Sequence, residues 1–185
     1  MIFVGLGNYR KEYFETRHNI GFKVIDKLKS SGKILEIYKK KFFNAWKIEI
    51  EGKELIVLKP KTFMNESGIG VKIALDYFKE KLENLYIIHD ELDIELGKLK
   101  ITKNRGPGGH KGVLSVIENI GSNNFIRIRI GIRGKKIDKS YVEYVLSPFL
   151  PEELEIVEKV MSKTIDAIKE ILKSNLEKAM SLYNN

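Results

Sequence analysis

Met1-Ile-Phe-Val-Gly-Leu-Gly7 is an apolar run of the length of one buried strand. It passes into the polar stretch Asn8-Tyr-Arg-Lys-Glu-Tyr-Phe-Glu-Thr-Arg-His-Asn-Ile-Gly21 and then into Ile20 to Ser30, where apolar residues recur at helical spacing. Strand, polar loop and helix in that order open a chain of the α/β class. The loop is held between two rigid elements while its backbone stays solvated, a common place for reactive side chains. His18 stands in it, and an imidazole is the side chain suited to take and return a proton near neutrality. Taken alone, Thr16-Arg17-His18-Asn19 reads first as a helix cap. Only partners elsewhere in the chain make His18 a reactive group.

The same sequence of elements recurs downstream. Ser30-Ser31-Gly32 ends the first helix, and Phe42 to Ile50 and Lys53 to Lys59 alternate about Glu51-Gly52 as a hairpin, closed by Pro60. Thr62-Phe63-Met64-Asn65-Glu66-Ser67-Gly68 precedes a helical stretch from Ile69 to Phe78; Asn65 offers a carboxamide, or else caps that helix with a hydrophobic staple. Leu85 to Ile88 reads as a central strand with His89-Asp90-Glu91-Leu92-Asp93 at its end, where crevices form in open α/β sheets. Asp90 suits the orienting of an imidazole. A metal held by Asp90 and Asp93 ranks lower, since no set rich in histidine or cysteine completes it in the sequence.

Gly106-Pro-Gly-Gly-His-Lys-Gly112 leads into a helix from Val113 to Ile120; the glycines let backbone N–H groups approach an anion, and equally describe a plain flexible loop. It is not a Walker loop, which ends in Gly-Lys-Ser/Thr. Phe125 to Arg133 alternates strictly, with Ile126, Ile128, Ile130 and Ile132 on one face and Arg127 and Arg129 on the other, a row spaced to track phosphates. After Tyr141 to Leu146 and the turn at Pro148, residues 151–184 are helical in period, as two helices or one bent one, and pack on the sheet or over the cleft. Chain length, 185 residues, suits a single domain over residues 1–185.

No run is apolar enough for a membrane span, the start lacks the charged region of a signal peptide, and there are no cysteines; a cytoplasmic location is expected. Lys and Arg total 33 against 25 Asp and Glu, a net charge of +8. Residues Gly97 to Lys139 hold 11 basic residues and two acidic ones, whereas the chain from Pro151 onward carries −2. Such concentration suits a polyanion partner, because each neutralised phosphate releases counterions; a lysine-rich solvated surface is the alternative.

Gly-x-Ser-x-Gly is missing, and the three histidines, His18, His89 and His110, all fall in the junctions singled out above. The chemistry that remains is a water deprotonated by an imidazole, with carboxamide and N–H groups steadying the oxyanion. An ester is the easier substrate, since an alkoxide leaves more readily than an amine. The residues thus describe a basic α/β hydrolase whose substrate is attached to a polyanion.

Four blocks, Gly5-Leu-Gly-Asn8 with Tyr13-x-x-Thr-Arg-His-Asn-x-Gly21, Lys59-Pro-x-Thr-Phe-Met-Asn-x-Ser-Gly68, His89-Asp-Glu-Leu-Asp93 and Gly108-Gly-His-x-Gly112, closely resemble the bacterial-type peptidyl-tRNA hydrolases, in that family's order. The resemblance implies a single α/β domain with a twisted mixed sheet flanked by helices. It implies cleavage of the ester between a peptide and the 3′-terminal ribose of tRNA, without metal or cofactor, by a monomer. Residue by residue, it makes His18 the base and Asp90 its stabiliser, with Asn8 sensing that the amino group is acylated. Tyr13, Phe63 and Asn65 contact the 3′ end and the peptide, Met64 lines the same crevice, and His110 sits on its rim. Arg129 with nearby lysines holds the acceptor stem. This chain departs from the family at Tyr9-Arg10, at Lys111 in place of an asparagine, and at Thr102 in place of a basic residue, for which Lys100, Lys103 or Arg105 substitutes. Some relatives act in intron splicing, so a binding-only RNA scaffold is the competing expectation.

Overall fold

The structure, a computed structural model, describes residues 1–135 and 137–184; Lys136, one of the lysines of the basic block, and Asn185 lie outside them. Its strands are β1 (Ile2–Gly5), β2 (Lys33–Lys39), β3 (Phe43–Ile50), β4 (Lys53–Pro60), β5 (Leu85–Glu95), β6 (Leu99–Lys103) and β7 (Ile126–Arg133). Its helices are α1 (Ile20–Ser30), α2 (Ser67–Phe78), α3 (Lys111–Ile120), α4 (Tyr141–Val145), α5 (Leu154–Lys173) and α6 (Leu176–Tyr183). The seven strands form one mixed sheet in the order β2-β3-β4-β1-β5-β7-β6. The central β4, β1, β5 and β7 run parallel; β2, β3 and β6 pair antiparallel.

Both faces of the central strands are covered, which is why they read as apolar runs. Ile2, Val4 and Leu6 pack with Val71 and Leu75 of α2 and Val113 and Val116 of α3. Phe3 and the row Ile126, Ile128, Ile130 and Ile132 pack with Val24 and Leu28 of α1 and Val160 and Ile168 of α5. The hairpin turns at Glu51 and Gly52, both with positive φ (51° and 70°), the two-residue turn whose twist matches the strands it joins.

Two expectations change and an open one is decided. Strand β2 has no counterpart in the sequence reading, because its register shifts between Ile34 and Glu36 and this breaks the alternation that marks a strand. Strand β5 does not stop at Ile88: His89, Asp90 and Glu91 continue it, paired with Arg129, Ile130 and Gly131 of β7. These polar residues stay in a buried strand because partners from other elements, His18, His110, Arg127 and Arg129, satisfy their side chains, as described below. The C-terminal segment is two helices, with Asn175 Oδ1 accepting from Lys178 N at 2.9 Å to start α6.

At the outer edge of the sheet, the Asn184 carboxamide takes the place of a neighbouring strand. It accepts from Ile101 N (2.6 Å) and donates to Ile101 O (2.9 Å). At the centre, β1 and the start of α1 touch backbone to backbone. A Cβ on Gly21 falls 2.5 Å from both Ile88 O and Leu6 O, and one on Gly5 falls 2.2 Å from Gly21 O. That contact lowers the residues just before α1 onto the end of β5.

Gly21→Ala therefore sets helix propensity against sterics. Propensity favours the alanine by about 1 kcal/mol, but the new methyl meets backbone that cannot yield, at a cost of about 1–3 kcal/mol or more. Urea unfolding is expected to show net destabilisation, whereas Gly106→Ala, with nothing within 4 Å, leaves the midpoint nearly unchanged.

Candidate active site

The turn Arg17–Asn19 carries His18, and neither Thr16 nor Asn19 caps a helix with its side chain. The side chains work across the fold instead. Asn19 accepts from Asn8 N (2.8 Å) and donates to Asn8 O (2.9 Å), locking the loop after β1 to the start of α1. Asn8 Oδ1 in turn accepts from Met64 N at 2.8 Å, which leaves the Asn8 NH2 as the group it presents inward. Arg17 is buried: it donates to Glu153 Oε2 at 2.5 Å and lies over the rings of Tyr144 (4.4 Å) and Phe149 (4.8 Å). Thr16 bridges Pro148, and Arg17 N donates to Ser147 O, so the His18 turn is braced by the C-terminal segment.

Asp90 is the centre of the cluster. Its carboxylate lies 2.9 Å from His18 Nδ1 and 2.9 Å from His110 Nε2, with 3% of the Asp90 side chain exposed. Burial drives this carboxyl upward, and the two imidazoles bonded to it outweigh burial, holding it well below the usual carboxylate range.

Each imidazole's tautomer follows from its partners. Val113 N can only donate, so His110 Nδ1 accepts from it at 3.2 Å and Nε2 carries the proton given to Asp90. Arg127 Nε can only donate, so His89 Nε2 accepts from it at 3.1 Å and Nδ1 donates to Asp90 O at 2.5 Å. A carboxylate can only accept, so His18 Nδ1 carries its proton. His18 Nε2 is then the single imidazole nitrogen of the three with no hydrogen-bond partner among the described residues.

That nitrogen belongs to a side chain 12% exposed, on the wall of a cavity of about 550 Å³. Asn8, Tyr13, Met64, Asn65, Asp90, His110 and Lys111 share the wall with it, joined by Leu92, Val142, Val145 and Leu146 on an apolar side. Phe63 stands outside, its ring under the Arg10 guanidinium at 4.6 Å. Asn65 is exposed at the cavity and does not cap α2. His110 is not a rim residue: its side chain is 7% exposed and contacts Asp90 directly.

Lys103, Arg105 and Lys111 are exposed cations beside this cluster in the chain, and no ion pair engages them among the described residues. The arginine row of β7 is turned inward. Arg127, 2% exposed, donates to Gly106 O and lies 3.7 Å from Glu91, so it does not face a phosphate. Arg129 is held through Nε by Glu91 at 2.9 Å and keeps 16% of its side chain exposed. The sequence reading missed Glu91 as their counter-charge because strand alternation shows a face and not what packs on it.

His18, Asp90 and His110 each bring one possible ligand atom within 4.8 Å of the others, so a histidine-rich set does surround Asp90. The expectation that none exists is corrected. The atoms in question are N–H donors already bonded to the carboxylate, and a cation entering there displaces both protons.

A family model described as peptidyl-tRNA hydrolase matches residues 2–185. A peptidyl-tRNA hydrolase of Thermodesulfovibrio yellowstonii is 41% identical over all of this chain and 98% of its own length. That of Aquifex aeolicus is 40% identical, covering 98% of this chain and 94% of its own. The crystal structure of peptidyl-tRNA hydrolase from Acinetobacter baumannii superposes with a TM-score of 0.91 at 29% identity, over 99% of this chain and 93% of that one.

Full burial, His110 and Arg127 keep His89 neutral far below the ordinary imidazole range. Its folded pKa lies below the unfolded value of about 6.5, so its contribution to stability is complete above that pH and is lost as pH falls. Between pH 6.5 and 5.5 the wild type is expected to lose up to about 1.4 kcal/mol more than His89→Asn, read as the difference between their urea-unfolding free energies.

Proposed function

The chain belongs to the peptidyl-tRNA hydrolase family, and we propose that His18 is the base of its reaction. That reaction is hydrolysis of the ester between a peptide and the 3′-terminal ribose of tRNA, which recycles tRNA from abortive translation. The observation that carries the assignment is His18 Nε2 on the cavity wall, without a hydrogen-bond partner among the described residues. A water held at this nitrogen gives up a proton as its oxygen attacks the ester carbonyl, and Asp90 steadies the imidazolium through Nδ1–H. The tetrahedral oxyanion collapses, the C–O bond to the ribose breaks, and the imidazolium returns the proton to the departing alkoxide.

The NH2 groups of Asn8 and Asn65 are the donors for the carbonyl oxygens, that of Asn8 reading the amide which marks an acylated amino group. Tyr13, Met64 and Phe63 supply contact surface for the 3′ end and the peptide, His110 anchors Asp90, and Lys111 places a cation where a terminal phosphate or an acidic peptide group passes. Lys103, Arg105 and the Nη groups of Arg129 are assigned to acceptor-stem phosphates. No helix among the described residues is long and apolar enough to cross a membrane. Action as a monomer in the cytoplasm completes the reading. A binding-only scaffold has no use for an oriented imidazole with an open nitrogen in a cavity.

His18→Ala is expected to lower kcat for peptide release from N-acyl-aminoacyl-tRNA by about 10² to 10⁴ while tRNA affinity stays the same. Undiminished turnover removes His18 from the base role. Arg105→Gln is expected to reduce the slope of log affinity against log salt by about one phosphate contact; an unaltered slope takes Arg105 out of the tRNA interface.

A further inference from the structure

The base, its carboxylate and His110 leave the third histidine unused. His89 is fully buried on β5, immediately before Asp90, and touches none of the reacting atoms assigned above. Burying an imidazole is unfavourable unless both nitrogens are satisfied, and here both are, each by a group that allows one tautomer only. Arg127 donates to Nε2, and Nδ1 donates to the carbonyl of Asp90 itself. The ring also stands edge-to-face against His110, with centroids 4.6 Å apart. A leucine or phenylalanine fills such a place at lower desolvation cost, so the polar contacts call for a reason.

We propose that His89, locked by Arg127, is the positioning residue of the catalytic carboxylate. It fixes the main chain from which the Asp90 side chain departs and supports the ring of His110 that bonds the same carboxylate. Asp90 is thereby held from two directions, through its carbonyl and through its Oδ1. His18 Nδ1 meets both carboxylate oxygens at 2.9 Å, an alignment that needs the carboxylate plane fixed. Arg127 does more than donate. Its charge, balanced by Glu91 at 3.7 Å, opposes protonation of His89, so the imidazolium formed during turnover is that of His18 and not a rival cation behind Asp90.

This inference rests on His18 being the base, and the experiment separates the two. Peptide release from N-acyl-aminoacyl-tRNA is measured for His89→Phe, which keeps a ring against His110 but neither hydrogen bond. It is measured again for the same change on an Asp90→Asn background. Expected are a fall in kcat of about 10- to 100-fold, the range seen when a partner that orients a functional imidazole is removed, an unchanged KM, and almost no further loss on the Asp90→Asn background. Nitrogen-15 spectra are expected to show the His18 Nδ1–H signal of the wild type broadened in His89→Phe. Wild-type kcat overturns the proposal, and so does a loss that multiplies with that of Asp90→Asn or that raises KM instead. If His89→Phe does not fold, Arg127→Gln, which removes the donor on Nε2, is tested by the same readouts. Activity surviving in His18→Ala brings down the base assignment; with that variant dead and His89→Phe normal, only the role of His89 fails.

Discussion

A negative charge held almost without water at the end of β5 sets the terms for this structure. Moving a carboxylate out of water is unfavourable by several kcal/mol, and the fold answers with two imidazole N–H donors placed 2.9 Å away. Each arrives from a different part of the chain, one ahead of α1 and one ahead of α3. Everything that brings those turns to Asp90 serves this compensation. Gly5 and Gly21 let α1 descend onto β1, Asn19 and Asn8 tie the loops, and His110 caps α3 through Val113 while its other nitrogen reaches the carboxylate.

Function follows from an asymmetry in the same arrangement. Three imidazoles surround one charge, and two of them have both nitrogens committed to structure. Structural satisfaction is therefore what sets His18 apart: the one that remains unfinished among the described residues is the one open to the cavity, and it is the base in the proposed reaction. Braces at a greater distance maintain it. The buried Arg17–Glu153 pair, roofed by Tyr144 and Phe149, fastens the His18 turn to the segment that leads into α5, which thereby contributes to the site although these residues supply no group to it.

Much of this was legible in sequence wherever the pattern is local. Strict alternation from Phe125 to Arg133 placed the isoleucines on one face, the Glu51-Gly52 turn marked the hairpin, and strand–loop–helix junctions marked His18 and Asn65. What escaped depends on partners remote in the chain. Asn19 reads as a cap because its bond to Asn8 crosses a loop, and Arg127 reads as a phosphate contact because Glu91 and His89 lie on another strand. Polar residues His89 to Glu91 read as a loop because their burial is possible only with the partners that His18, His110, Arg127 and Arg129 bring from elsewhere in the chain. The family resemblance put His110 on the rim and did not reveal that its side chain is 7% exposed against Asp90.

Asn184 closes the open side of β6 by standing in for a strand, whereas the opposite margin at β2 relies on Lys33, Lys39 and its irregular register. The two margins therefore mature at different moments of synthesis. The β2 side carries its lysines and its shifted register as soon as its hairpin partner exists. Ile101 stays available for illegitimate pairing with another nascent chain until α6 has left the ribosome and folded back, so a transcript truncated before that point yields a sticky product.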